Sequence, residues 1–261
     1  MFKKLAIIFV TTCALVSNVN ASSDGELLLK KNNPAEVKEC WEGFNKATFA
    51  LNQGLDKVIF KPVAGVYRVL PTPVKSGVSN SLNNLSNVLT IPNNLLQGDF
   101  QKAGVNTGRF IINTTVGILG IMDVATYFGF SEYKKEDYGL TLASHGVGPG
   151  CYIVLPVLGP STARDAIASV ANFTGGDAWY NITVDKDTQY FSDFDYYSSK
   201  VTGGVDFRAK NYDSIENLEK NSIDFYASVK SLYLQDRQKK ILNSKSIVDT
   251  QNDGDWEEIE N

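Results

Sequence analysis

The sequence predicts a mainly α-helical protein with little strand. Several long stretches repeat apolar residues at alternating steps of three and four, the period of a helix face. Only one short run, Tyr152 to Leu155, favours strand between chain breakers. No internal repeat is present that would build a solenoid or propeller. With 261 residues the chain has room for one large domain or two small ones. Its 43% hydrophobic and 21% charged residues exclude a wholly disordered or collagen-like chain. No stretch beyond the N-terminus supplies about 20 clean apolar residues, which excludes a polytopic membrane protein. A net charge of −4 speaks against a nucleic-acid partner, which calls for a basic patch or stripe.

Lys3 and Lys4, then the apolar run from Leu5 to Val16, then Val19-Asn20-Ala21 read as an export signal over residues 1–21, with Ser22 as the first mature residue. Residues 22–35 are a polar, flexible leader, and 36–243 form a single helical domain. Trp41, Phe44, Thr48, Leu51, Leu55 and Val58 make the stripe of the first helix, with Asn45, Asn52 and Asp56 on the other side and Lys61-Pro62 as its break or kink. Thr72 caps the second helix, with Pro73 at its first position. Val78, Leu82, Leu85 and Leu89 are its apolar stripe, and Ser79, Asn80, Ser81, Asn83 and Asn84 give it a polar, uncharged face. Pro92 is expected to interrupt it and Gly98 to end the piece that follows.

Residues 104–130 are the most apolar internal segment, but Arg109, Asn113 and Asp123 within them speak against a spanning helix. Gly104 and Gly108 have small-xxx-small spacing, read here as ordinary close packing. Residues 144–160 are a Gly/Pro-rich loop and 161–172 a short helix. Tyr190, Phe191, Phe194, Tyr196 and Tyr197 are expected in the core, with an interfacial aromatic belt as the alternative. One final helix carries Ile215, Leu218, Ser222, Phe225, Val229 and Leu232, with capping-box-like Asp213 and Glu216 at its start and Lys239 and Lys240 near its end. Residues 244–261 form an acidic, disordered tail. Without signal and tail, the folded body is near neutral.

Candidate chemistry is sparse. His145 is the only histidine; Ser144 precedes it, no G-x-S-x-G elbow exists, and a lone histidine in a glycine-rich loop reads as structural. Gly146-Val147-Gly148-Pro149-Gly150 misses the G-x-G-x-x-G phosphate spacing, and Pro149 removes an amide donor. Asp193 and Asp195 sit among aromatics, a weak hint of a glycosidase, since sequence does not set the distance between two carboxylates. One histidine and scattered cysteines make no zinc cluster, so no metal or cofactor is expected. Cys13 lies inside the signal. Cys40 and Cys151 either pair or stay as buried thiols in an oxidising compartment.

Several words of the sequence, in order, resemble the MlaA/VacJ family of outer-membrane lipoproteins that maintain lipid asymmetry in Gram-negative bacteria. They are Glu42-Gly43-Phe44-Asn45 with Phe49, Leu51 and Asn52; Pro62-Val63-Ala64 with Tyr67 and Arg68; and Asn93 with Leu96-Gln97-Gly98-Asp99. Arg109-Phe110 with Asn113-Thr114 and Gly117 follow. The most specific word is His145-Gly146-Val147-Gly148-Pro149-Gly150, running through Tyr152, Leu155-Pro156, Gly159-Pro160-Ser161 and Arg164-Asp165. Val205-Asp206 with Arg208, Asp224 with Tyr226, and Tyr233 with Asp236-Arg237 complete a match over residues 37–237.

The resemblance implies a ring-like bundle of amphipathic helices set in one membrane leaflet, the periplasmic leaflet of the outer membrane. It implies a non-catalytic channel that takes mislocalised phospholipids from the outer leaflet and passes them to an MlaC-like periplasmic carrier, beside a trimeric porin. The stretch from Gly146 to Pro160, flanked by His145, Arg164 and Asp165, is the candidate channel mouth or gate, because permissive glycines alternate with rigid prolines. The rival readings are a secreted, membrane-perturbing virulence factor and a lipid hydrolase built on His145.

Family members carry a lipidated cysteine after small residues. Here Cys13 follows Val10-Thr11-Thr12 inside the apolar run, so cleavage after Ala21 would remove it as a lipid anchor. The expected mature form starts at Ser22 without an acyl chain. Intact-mass and N-terminal analysis of protein extracted from outer membranes checks this; a diacylated Cys13 would overturn it.

Overall fold

The computed structural model describes residues 37–184 and 190–250. The expected signal peptide, leader and Cys13 lie outside the described residues, as does the tail from 251 onward. Helix α1 (Glu42–Leu55) passes through a π-turn (Asp56–Phe60) into α2 (Lys61–Arg68), followed by the long α3 (Thr72–Leu96), α4 (Phe100–Thr115), the short α5 (Val124–Tyr127) and α6 (Tyr138–Ser144). Strands β1 (Tyr152–Leu155) and β2 (Gly159–Thr162) form an antiparallel hairpin, with Tyr152 opposite Thr162 and Leu155 opposite Gly159. Then come α7 (Ala163–Ala171), a second π-turn (Asn172–Gly176), α8 (Ala178–Thr183), α9 (Asp193–Lys210), α10 (Tyr212–Asn221) and α11 (Phe225–Thr250). The packing closes into a circuit: α2 lies on α9, α9 on α3, α3 on α6, α6 on α7, α7 on β1 and β1 back on α1. This is the ring-like helical bundle expected.

Burial runs opposite to an ordinary soluble helical domain. Among the described residues, buried polar and charged side chains outnumber buried hydrophobic ones. Two small aromatic clusters supply most of the apolar interior. In one, Tyr152, Val154 and Leu234 pack with Phe49, Tyr226 and Tyr233; in the other, Trp179, Val184 and Tyr196 pack with Leu85, Val88 and Tyr180. Large aliphatic and aromatic side chains instead face outward on nearly every helix, among them Phe44, Val66, Val74, Phe100, Ile111, Ile167 and Phe207. An apolar exterior this extensive is far beyond the scattered exposed residues of a monomer in water and marks a surface built for lipid or protein.

The helical period is as expected, and much of the apolar face turns outward while asparagines of the polar face turn inward. Along α1 and its flanks the large stripe residues Trp41, Phe44, Leu51 and Val58 are exposed, whereas the small Thr48 of that stripe and Asn45 on the other side are buried. The aromatics at 190–197 correct in the same direction: Tyr196 is buried, and Tyr190, Phe191, Phe194 and Tyr197 are exposed. Periodicity identifies two faces of a helix, and the solvent outside decides which one turns inward.

Proline and cap expectations also need correction. Lys61-Pro62 does not break the chain, because the π-turn at Asp56–Phe60 absorbs the change and Pro62 sits in the first turn of α2, where no amide is needed. Thr72 is the first residue of α3 and not its cap, the cap position being Pro71. Helix α3 runs through Pro92, which leaves the Val88 carbonyl without its intrahelical donor, and, one position on, Asn93 Nδ2 donates to the Leu89 carbonyl at 2.8 Å. The single final helix is two: Ser222 is extended, Ile223 is fully exposed, and the Asp224 carboxylate caps α11 through the Ala227 amide. Their stripes read as one because steps of three and four continue across the break. The backbone of α11 continues to Thr250, past the domain end placed at 243.

Between α4 and α5 the chain makes a tight loop with Ile118 (φ 53°) and Leu119 (φ 55°) in the left-handed region, costly for a β-branched residue. Gly120 (φ 85°) follows, and a Cβ there would lie 2.5 Å from Asn84 Cβ. Gly108 is needed for the Phe130 ring, whereas Gly104 faces open space, so their spacing is not a helix-docking motif. Gly120→Ala is expected to destabilise the fold by about 1–3 kcal/mol through the left-handed φ alone, more with the clash. Gly104→Ala, inside a helix with open space, should stabilise by about 0.5–1 kcal/mol; thermal unfolding in detergent compares the two.

Candidate functional site

The Gly/Pro stretch is held in place by two asparagines of α1. Asn45 and Asn52 stand two turns apart on one helix face, and their carboxamides act as substitute peptide groups for the hairpin. Asn45 Nδ2 donates to the carbonyls of Tyr152 (3.2 Å) and Cys40 (2.8 Å), and its Oδ1 accepts from the Val154 amide at 2.9 Å. Asn52 Nδ2 donates to the Leu155 carbonyl at 2.9 Å and its Oδ1 accepts from the Val157 amide at 2.8 Å. A parallel bridge between Glu39 and Tyr152 extends the pairing, and the Cys40–Cys151 disulfide closes its base with Cα atoms 5.5 Å apart. Of the two states open to these cysteines, the structure holds the bridge. Gly43 and Phe44 of the same motif are exposed and make no part of this seam.

Arg164 and Asp165 anchor the other side. Arg164 is buried at the start of α7; its amide donates to the Pro149 carbonyl and its Nη1 to the Val147 carbonyl. Asp165 accepts from Arg164 Nε (2.9 Å), Arg237 Nη2 (2.9 Å) and the Tyr233 hydroxyl (2.7 Å). Arg237 also forks onto Asp137, the N-cap of α6. Burial pushes the Asp165 carboxyl up, but Arg237 and Arg164 outweigh it and hold it below the usual carboxylate range. Gly139 lies against this knot, where a Cβ would come 2.4 Å from Asp165 Oδ1. The knot joins α6, α7 and α11, three elements whose side chains are far apart in sequence.

Within the loop, Gly146 (φ 85°), Gly150 (φ 67°) and Gly159 (φ 82°) need their glycines, while Gly148 has open space around it. Leu155, Pro156 and Pro160 lie at or beside the hairpin turn, next to exposed Val157 and Leu158. His145 is the C-cap of α6, exposed, with Nδ1 2.8 Å from the Thr141 carbonyl and 3.3 Å from Ser144 Oγ. The Ser144–His145 contact is between neighbours, and a backbone carbonyl, not a carboxylate, orients the ring. Asp193 and Asp195, at the start of α9, are occupied too: Asp193 accepts from the Tyr180 hydroxyl and Asp195 forms a capping box with Ser192. Among the described residues no group of His, Cys, Asp and Glu is placed to hold a metal.

The remaining feature is a polar cavity of about 280 Å³ between α3, α4 and the segment after α5. Asn80, Asn83, Asn84 and Asn87 of α3 line one wall at helical spacing. Arg109, Asn113 and Asp123 form the opposite wall, where Asp123 accepts a fork from Arg109 (2.8 and 2.7 Å) and a bond from Asn113 (2.9 Å). Burial raises the Asp123 carboxyl, and Thr126, Asn113 and Arg109 more than reverse that. Asn84 donates to Thr114 Oγ1, leaving its own Oδ1, like that of Asn87, without a protein partner. The uncharged asparagine face is thus an interior surface. Sequence reasoning misses Asn87, although it continues the same period.

A family model described as MlaA lipoprotein matches residues 37–240. The chain belongs to the MlaA lipoprotein family. It is 33% identical over 218 residues to the intermembrane phospholipid transport system lipoprotein MlaA of Escherichia coli, covering 81% of each chain. Its Haemophilus influenzae counterpart is 30% identical, covering 82% of this chain and 83% of that one. An uncharacterized protein of Rickettsia prowazekii is 33% identical over 81% of each. A chain solved in work on the structural basis for maintenance of bacterial outer membrane lipid asymmetry superposes with a TM-score of 0.65 at 30% identity, covering 78% of this chain and 99% of that one.

Asp165 yields a pH test. Its folded pKa lies below the ordinary aspartate value, so its contribution is fully present above about pH 3.9 and is lost as pH falls through the lowered value. Asp165→Asn should destabilise by about 3–5 kcal/mol at pH 7, by leaving buried Arg164 uncompensated. In denaturant unfolding, the gap to wild type should shrink below about pH 4.

Proposed function

We propose that this protein is the outer-membrane component of an intermembrane phospholipid transport system. In this reading it removes phospholipids that have strayed into the outer leaflet, passes them through an amphipathic interior, and delivers them to a soluble periplasmic carrier. It sits in the periplasmic leaflet with a trimeric porin as neighbour, and forms and breaks no covalent bond. The observation that carries this is the reversed burial: carboxamides and paired charges inside, aliphatic and aromatic side chains outside. A lipid head dragged through an apolar wall would lose its hydration without replacement, so a carrier of phospholipids needs a polar interior beside an apolar rim. No helix among the described residues is long and apolar enough to cross a membrane, which suits amphipathic helices lying in one leaflet. The family membership and the phospholipid-transport names of the relatives support the same reading.

The Gly146–Pro160 stretch is the gate in this scheme. It is stitched at Val147 and Pro149 by Arg164 and at Val154, Leu155 and Val157 by Asn45 and Asn52, so motion is left to Gly148 and to Leu158 at the turn. The protein expressed in a Gram-negative host lacking its own MlaA should lower the phospholipid accessible at the cell surface to an added phospholipase. The Gly148→Ala variant, which meets no steric obstacle, should lose most of that effect while still reaching the outer membrane. Equal activity of the variant would remove the gate. A wild type that reaches the membrane and changes nothing would remove the transport reading.

A further inference from the structure

We infer that α3 carries a holding site for a single phospholipid with a free amine in its head, one of its two acyl chains lying in an apolar groove against α9 and the head in the asparagine cavity against α4. The site rests on the transport reading above and places one lipid within it. The groove has a volume of about 600 Å³ and is walled by Val74, Val78 and Leu82 of α3, Ile121, and Ser198 and Thr202 of α9. The cavity beside it, about 280 Å³, is lined by carboxamides. Their linings interleave along α3, Asn80 and Asn83 of the cavity falling among Val78, Ser81 and Leu82 of the groove. Ile121 lines the groove with its side chain, and its carbonyl accepts from Asn80 Nδ2 of the cavity at 3.1 Å. Gly77 permits this close approach, since a Cβ there would lie 3.1 Å from Ile121 Cγ2. An apolar slot and a polar chamber that meet at the Asn80–Ile121 contact match an amphiphile lying across that rim and not a purely apolar or purely polar ligand.

The chamber's charges select the head. Arg109 is neutralised by the fork onto Asp123, so it offers no unopposed cation to a net-anionic head. Three buried polar atoms there, Asn84 Oδ1, Asn87 Oδ1 and Arg109 Nε, have no protein partner, and buried polar groups of this kind are expected to meet a ligand or ordered water. Glu132 lines the cavity, is exposed, and has no ionic partner among the described residues. Carboxamide and guanidinium N–H groups suit phosphate oxygens, and Glu132 with the asparagine carbonyls suits an ammonium. The class that satisfies both is a zwitterionic, amine-headed glycerophospholipid.

The test uses the full-length protein in detergent micelles doped with phosphatidylethanolamine bearing a diazirine in one acyl chain, or with phosphatidylglycerol bearing the same chain. After illumination, labelled peptides are mapped. Label is expected around Val78, Leu82 and Ile121, several-fold stronger with the amine head. Ser81→Trp, which fills the groove, should abolish it, and Ser198→Trp does the same from the opposite wall should the first variant lose its helical signal. Glu132→Gln should bring the two lipids level. A second apolar groove, of about 460 Å³ with Val63, Val66 and Leu70 in its wall, has no polar cavity lining and is the control. Equal label in both grooves overturns the site. Label confined to the α3 groove but indifferent to the head overturns the amine selection. Label only elsewhere removes the site and leaves transport standing, whereas a wild type that takes no label at all removes both.

Discussion

The fold depends on mutual satisfaction of the polar groups it encloses. A buried carboxamide or charge that loses its partner costs more than an ordinary contact contributes, because its hydration is not replaced. This domain encloses many of them, and several are tied to elements distant in sequence. Arg208 forks onto Asp56 and reaches Glu216, which also takes Lys61, and so joins the π-turn, α2, α9 and α10. Asp177 accepts from Tyr196 and Lys200, joining α8 to α9. Asp206 accepts from Ser79 and Tyr67, joining α9 to α3 and α2. Asp165 and Arg237 close the opposite side. The ring is held by side-chain hydrogen bonds and ion pairs where a soluble bundle would use interdigitated aliphatics.

That choice frees the aliphatics. Val58, Val66, Val69, Leu96, Phe100 and Leu119 do not stabilise the interior and are left on the outside. In water such a surface would be a liability, and against lipid tails it is a wetting surface. The left-handed Ile118 and Leu119 belong to the same design. They are held in a costly backbone conformation by bonds from Gly120 N to the Asn113 carbonyl and from Met122 N to the Gly117 carbonyl, and both side chains point outward. Because the polar interior is rigidly paired, a strained, apolar loop can be carried on its rim.

Parts of this are legible in the sequence. Helical period locates α1, α3 and the C-terminal helices, the short helix read at 161–172 meets α7, and the run Tyr152–Leu155 locates β1, whereas α4 is seen only as an apolar stretch without its bounds. The ordered words from Gly43 to Arg237 are enough to indicate the family. Asn45, Asn52, Arg164 and Asp165 stand in those words, yet their role is to staple the hairpin, which no local pattern states. Strand β2 is hidden because Gly159-Pro160 reads as a turn, and its pairing comes entirely from β1. Asp137, Gly139 and Tyr233 have no visible function in the sequence, since the knot they form with Arg237 brings together residues about 100 positions apart. The asparagines at 87, 93 and 94 extend the polar face of α3, and continuing the period past Pro92 would find them.

The sequence by itself determined that the chain is helical, that its helices are two-faced, and that it is an MlaA family member, because period, breakers and ordered motif words are local properties that survive without coordinates. Which face turns inward, which cysteines and charges meet, and where the polar cavity and apolar groove adjoin were decided only by the tertiary structure. The physical reason is that amphipathicity is symmetric. A stripe of leucines opposite a stripe of asparagines leaves open which of the two is enclosed, and only the partners found by Asn45, Asp165 and Arg208 decide it.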